Sequence, residues 1–213
     1  MPATARPDAQ TRAPRQRRAQ ERVDQILEAA RIIIGEKGSA GLTISEIAER
    51  AGVTPGSMYQ YFENKTAIIH RLGQLTLDEV HGRIADAFAE PPADLEAFKA
   101  AMADLFDGFW MLHRTDPVMR DIWAAAAADK TLQDLDRADT ARNVALIYDK
   151  SRHLFAPRQR AEFRRALSLM LNFAATAART AIDEPEAEAR KIKALSRTLI
   201  MAGWADLLPR LKG

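Results

Sequence analysis

Apolar residues recur at three- and four-residue spacing through most of the chain, the period of a helix with one buried face. Val23, Ile26, Leu27, Ala30, Ile33 and Ile34 form the first stripe and predict a helix over residues 18–37. Ile44, Ile47, Ala48 and Ala51 form a shorter one, and Met58 and Phe62, four apart, mark a third. Ala67, Ile68, Leu72, Leu75 and Val80 carry a fourth helix to about residue 89, kinked or ended near Gly82. Pro91-Pro92 breaks the pattern. Beyond it, Phe98, Met102, Leu105, Phe106, Phe109 and Leu112 mark a helix over 94–115. Met119, Ile122 and Trp123 mark one over 117–128. Leu132, Leu135, Val144, Tyr148 and Leu154 mark one over 131–155. Residues 157–182 and 186–208 complete the set. No stretch reads persuasively as a strand. The expected fold is all-α, with about nine helices.

The turn between the second and third helices carries the sharpest local signals. Thr43 and Glu46 form a Ser/Thr-x-x-Glu capping box, in which the glutamate reaches back to the cap. Gly52 is placed to end the second helix, because a left-handed residue costs glycine no strain. Val53 plugs the turn. Thr54 caps the third helix and Pro55 occupies its first position. With Met58 and Phe62 buried, Gly56, Ser57, Gln60 and Tyr61 face outward or sideways, and Tyr59 lies at the boundary. A short helix with a small, polar leading edge suits the DNA major groove. Lys65 opens the next helix, where an ammonium and free amides hold phosphate.

This string closely resembles the helix-turn-helix of TetR-type (TetR/AcrR family) transcriptional regulators. Thr43, Ile47-Ala48, Ala51-Gly52-Val53-Thr54, Gly56, Tyr59, Tyr61-Phe62 and Lys65 match that pattern in register. Ser39 and Leu42 depart from it, since the family often has an aromatic and a threonine there. With the preceding helix the resemblance covers roughly residues 20 to 70. It implies a three-helix DNA-binding head over 18–70 and a helical ligand-binding and dimerisation body over 71–213. It also implies that the fourth helix transmits ligand state. Residues 1–17 lack an apolar period and are expected to be a disordered basic arm. In it Arg15, Arg17 and Arg18 reach DNA phosphates or the minor groove, and Arg22 on the first helix contacts the backbone. The expected DNA-binding set is Arg17, Arg18, Arg22, Thr43, Thr54, Pro55, Gly56, Ser57, Tyr59, Gln60, Tyr61 and Lys65.

The last two helices are apolar over more than one face. We expect them to pair with their copies across a two-fold axis, through Leu167, Met170, Leu171, Ala174, Ala178, Leu195, Leu199 and Trp204. A homodimer places two recognition helices about 34 Å apart, the spacing of a palindromic operator in double-stranded DNA. In the body the resemblance implies a small-molecule pocket. The candidate lining is Phe106, Phe109, Trp110, His113, Trp123, Tyr148, Asn172, Phe173 and Thr176. An alternative with the same head is a ligand-independent architectural or cell-cycle factor, in which those aromatics pack a solid core.

Charge sharpens the division. Residues 1–72 hold 11 lysines and arginines against 8 acids, whereas residues 73–213 hold 20 against 21. A basic end beside a neutral one suits a DNA-binding head. The chain has no cysteine, which excludes disulfides, thiolate metal sites and a cysteine nucleophile. His70, His81, His113 and His153 show no metal-ligand spacing, and no catalytic motif stands out. We therefore expect no catalytic residues, no metal and no cofactor, only a small-molecule effector of unstated identity. No apolar run is long enough to span a membrane, and the first residues lack the core of a signal peptide. The expected location is the bacterial cytoplasm.

Overall fold

The computed structural model describes residues 9–212, apart from the side chains of residues 9–15, Ala125, Ala127 and Lys212. Among the described residues there are nine α-helices and no strand. They are α1 (Ala9–Lys37), α2 (Ile44–Arg50), α3 (Pro55–Met58), α4 (Lys65–Ala87) and α5 (Leu95–Thr115). Then come α6 (Pro117–Ala125), α7 (Lys130–Ser151), α8 (Arg160–Thr180) and α9 (Glu186–Lys212). Tight 3-10 turns at Ala126–Ala128, Arg152–Leu154 and Pro157–Gln159 occupy ends that the periodicity assigned to full helix, and a fourth, Ser39–Gly41, lies between α1 and α2. The chain divides into two compact units between Leu72 and Gly73, inside α4.

Two ends differ from the sequence expectation. Residues 1–8 of the expected arm, and the Arg15 side chain, lie outside the described residues. Residues 9–17, expected to be disordered, are instead the start of α1. Alanine, arginine and glutamine are strong helix formers, so an established helix elongates through them without an apolar stripe. At the other end α9 passes Pro209 and runs to Lys212. Its terminal carbonyls find a partner outside the helix, since the Gln159 side-chain amide donates to the Arg210 carbonyl at 2.8 Å.

The first unit is built on caps and one small core. Ile26, Ala30 and Ile33 of α1, Ile47 and Ala48 of α2, Met58 of α3 and Ile68 of α4 are all fully buried. Each large aliphatic among them contributes roughly 1.5–3 kcal/mol by leaving water. Leu42, where the sequence departs from the usual threonine, is buried with them. Two ion pairs tie α1 to α2, Arg50 to Glu36 at 2.7 Å and Lys37 to Glu46. The second pair changes the expected capping box. The Thr43 hydroxyl accepts from the Glu46 amide at 3.3 Å, but the Glu46 carboxylate accepts from Lys37 instead of closing the box.

The second unit packs around an aromatic cluster. Phe98 of α5 meets Phe163 of α8 at 5.6 Å and Trp204 of α9 edge-on at 5.4 Å, and Phe155 lies 3.9 Å from Phe163. Helix α8 is central, packing against α5, α6, α7 and α9.

Candidate functional site

The first unit presents a surface on α3 and the residues around it. Gly52 has φ 64°, so the chain reverses there in a conformation open to glycine. The Val53 amide then donates to the Ala48 carbonyl at 2.9 Å and closes the turn. Thr54 starts α3. Its hydroxyl accepts from the Ser57 amide at 3.2 Å and lies 2.8 Å from the Ser57 hydroxyl. After Met58 the backbone tightens, with Tyr61 and Phe62 amides both donating to the Met58 carbonyl. Burial of Met58 and Phe62 fixes the orientation of the helix.

What this leaves outward is small and polar. Pro55, Gly56 and Gln60 are exposed, and Tyr59 is 60% exposed although it is a large aromatic. A Cβ added at Gly56 would meet open space. No packing among the described residues therefore requires glycine there, and its absent side chain leaves room for an outside molecule to approach the backbone. Asn64 caps α4, its side-chain oxygen accepting from the Ala67 amide at 2.9 Å. Lys65 follows, exposed at the first position of α4. That cap was legible as the asparagine before Lys65 and escaped the sequence reading. The amides at such a terminus, with an ammonium beside them, suit a phosphate. Arg17 and Arg18 are exposed on α1, with Arg17 3.4 Å from Glu21. Arg22 bonds Gln25 on the same helix. Thr43 is exposed at the start of α2.

The second unit holds a cavity of about 310 Å³. Its wall is mostly apolar: Leu77, Val80 and Ile84 from α4, Met102 and Phe106 from α5, Met119 and Trp123 from α6, Met170 and Leu171 from α8. Of the expected pocket residues, Phe106, Phe109, His113 and Trp123 line it. The other five do not. Trp110 packs at 6.0 Å against Phe106, behind the wall. Tyr148 packs against Phe163, with the Arg164 guanidinium over its ring. Asn172, Phe173 and Thr176 are exposed. At about 100° per residue they share the outer face of α8 with Leu169, while Met170, Leu171 and Ala174 turn inward.

The same geometry corrects three expected interface residues. Leu167, Ala178 and Trp204 are buried within the chain and offer no surface to a partner. Met170, Leu171 and Ala174 line the cavity. Apolar periodicity shows that a face is buried without showing what buries it. The large apolar side chains left outward on these helices are Leu169 and Phe173 of α8 and Leu195 and Leu199 of α9, each more than half exposed.

The polar groups of the cavity come chiefly from α7, where Asp136, Asp139 and Asn143 share a face with Leu132 and Ile147. Polar residues on a core face were a readable signal that the sequence analysis passed over. The Asn143 amide donates to Asp139 at 2.7 Å and its carbonyl oxygen lies 2.5 Å from Nδ1 of His81 on α4. Arg142 bonds both Asp139 and Asp78, at 2.9 and 3.1 Å. Helices α4 and α7 are thus clasped beside the cavity. Burial pushes the Asp139 carboxyl above the usual carboxylate range, against the opposing pull of Arg142 and Asn143. Burial raises Asp136 as well, against Arg179 at 3.7 Å. Burial holds His113 down at about 4, so its ring is neutral near pH 7. Among the described residues no group of three or more acids and histidines could hold a metal ion, and no helix is long and apolar enough to cross a membrane.

Comparison with known proteins accounts for both units. Residues 26–72 match the family described as bacterial regulatory proteins, tetR family. Residues 96–202 match the tetracyclin repressor-like C-terminal domain. An uncharacterized HTH-type transcriptional regulator of Mycobacterium tuberculosis is 29% identical over 192 residues, covering 88% of this chain and 97% of that protein. The HTH-type transcriptional regulator TtgR of Pseudomonas putida is 42% identical over 69 residues, about a third (32%) of each chain. The fold is shared with a TetR-family regulator of Streptomyces coelicolor at a TM-score of 0.61 and 23% identity, covering 88% of this chain and 99% of that one. It is shared with SmeT, the repressor of the Stenotrophomonas maltophilia multidrug efflux pump SmeDEF, at 0.62 and 18%, covering 85% and 89%. The turn at Gly52, the capped helix after Thr54 and the all-helical second unit are therefore the parts of one known design, and the chain belongs to the TetR family of DNA-binding bacterial transcriptional regulators.

Proposed function

We propose that the chain is a homodimeric repressor that reads a palindromic operator and is released by a small molecule bound in its second unit. The observation that carries this reading is the cavity of about 310 Å³, which lies within the range of roughly 300–1,000 Å³ typical of small-molecule sites. A ligand-independent DNA-bound factor has no use for it. Leu169, Phe173, Leu195 and Leu199 supply an apolar surface on two adjacent helices, suited to a four-helix interface with a second copy. Helix α4 begins with Lys65 in the DNA-facing unit and places Leu77, Val80 and Ile84 on the cavity wall. A ligand that prefers one position of that wall biases α4 and, through it, the spacing of two heads. A ligand that binds both positions equally shifts nothing.

The test is a gel shift with DNA upstream of the chain's own coding sequence, at about 0.1 M salt. Light scattering measures the mass of the free protein alongside. A specific shift by a species of twice the chain mass is expected. A monomer, or binding to any DNA alike, would contradict the proposal.

A further inference from the structure

The cavity also indicates what kind of molecule fills it. His113 is almost wholly buried on its wall. Its Nδ1 lies 3.1 Å from the Phe109 carbonyl, an oxygen that can only accept, so Nδ1 carries the proton. Nε2 is then a bare lone pair, and none of the described residues partners it. Trp123, on the same wall, has a buried indole N–H with no acceptor. The lone pair on Nε2 loses its water when a guest enters, and a guest that donates to it restores the bond.

The charged groups of the wall offer no such vacancy. Asp136 is paired with Arg179, Asp139 with Arg142 and Asn143, and Arg83 with Glu79. Asp104 is exposed to solvent. A charged guest would leave water for an apolar wall whose buried counter-charges are already paired, with Asp104 alone left at the solvent side. The neutral His113 ring attracts neither sign.

Resting on the reading of the second unit as a ligand-responsive body, we infer that the cavity takes an uncharged, mostly apolar alcohol or phenol whose O–H donates to Nε2 of His113.

A set of biphenyls tests this on the full-length protein by isothermal titration. The probes are 4-phenylphenol, biphenyl, 4-methoxybiphenyl, 4-phenylbenzoate and the 4-biphenylyl-trimethylammonium cation. The phenol is expected to bind about tenfold tighter than biphenyl, the effect of one hydrogen bond to a group otherwise left unpaired. The methoxy compound accepts but does not donate, and is expected to stay near biphenyl. In His113→Phe, which keeps an aromatic in the wall, the phenol is expected to lose its advantage while biphenyl still binds. Tightest binding by the benzoate or the ammonium ion would overturn the inference and leave the ligand-responsive reading standing. So would a methoxy compound equal to the phenol. If no probe binds, both fall.

Discussion

The two units of this chain encode their functions in opposite ways. In the first, the residues of the candidate DNA-facing surface, apart from the arginines of α1, lie within a single stretch from Thr43 to Lys65. Each acts on a neighbour a few positions away: Thr43 on Glu46, Thr54 on Ser57, Asn64 on Ala67. In the second, the cavity draws its wall from six helices, α4 to α9, and from residues as far apart as Leu77 and Ile200. Local capping and turn rules apply directly to the first kind of site. They do not reach the second, which exists only once helices have packed.

This contrast predicts how damage should spread. The largest effect is expected in the distributed unit. Phe98→Ala removes the ring shared by Phe88, Phe155, Phe163 and Trp204 and should cost about 3–5 kcal/mol, read from the urea midpoint. Acid comes next. His113 titrates at about 4 in the folded chain against an ordinary 6.5, so between those values the unfolded chain holds a proton that the folded one does not. Its contribution to stability is whole above pH 6.5 and is lost progressively as pH falls toward 4. A fall in the urea midpoint from pH 7 to pH 5 should therefore be shallower in His113→Phe than in the parent chain.

The local unit should give smaller, single-site effects. Gly52→Ala puts a Cβ at φ 64° and should cost about 1–2 kcal/mol. Thr54→Ala removes one cap and should cost about 1 kcal/mol, read from the same denaturation curves. If Thr54→Ala matched Phe98→Ala in cost, the head would not be the sum of local devices described here.

The same contrast explains what was legible in the sequence. The positive φ of Gly52, the caps at Thr43 and Thr54 and the burial of Met58 and Phe62 follow from residue type and spacing. The Glu46 half of the capping box was misread, because Lys37 reaches Glu46 from another helix. In the body, helix positions were readable and the partners of their faces were not. Trp204 and Leu167 belong to the internal core and Phe173 to the surface. Periodicity ranks none of these, since α8 has neighbours on several sides. Asp139 and Asn143 could have been found as polar residues on an apolar face.

The central claim is that Gly56 approaches DNA closely while its missing side chain serves no packing among the described residues. Fluorescence anisotropy on the chain's own upstream DNA tests it, with Gly56→Leu beside the parent protein. The added Cβ meets no neighbour among the described residues, so the urea midpoint should hold or rise, while specific affinity should fall by about tenfold or more. A folded Gly56→Leu protein that binds the same DNA as tightly as the parent would contradict the account.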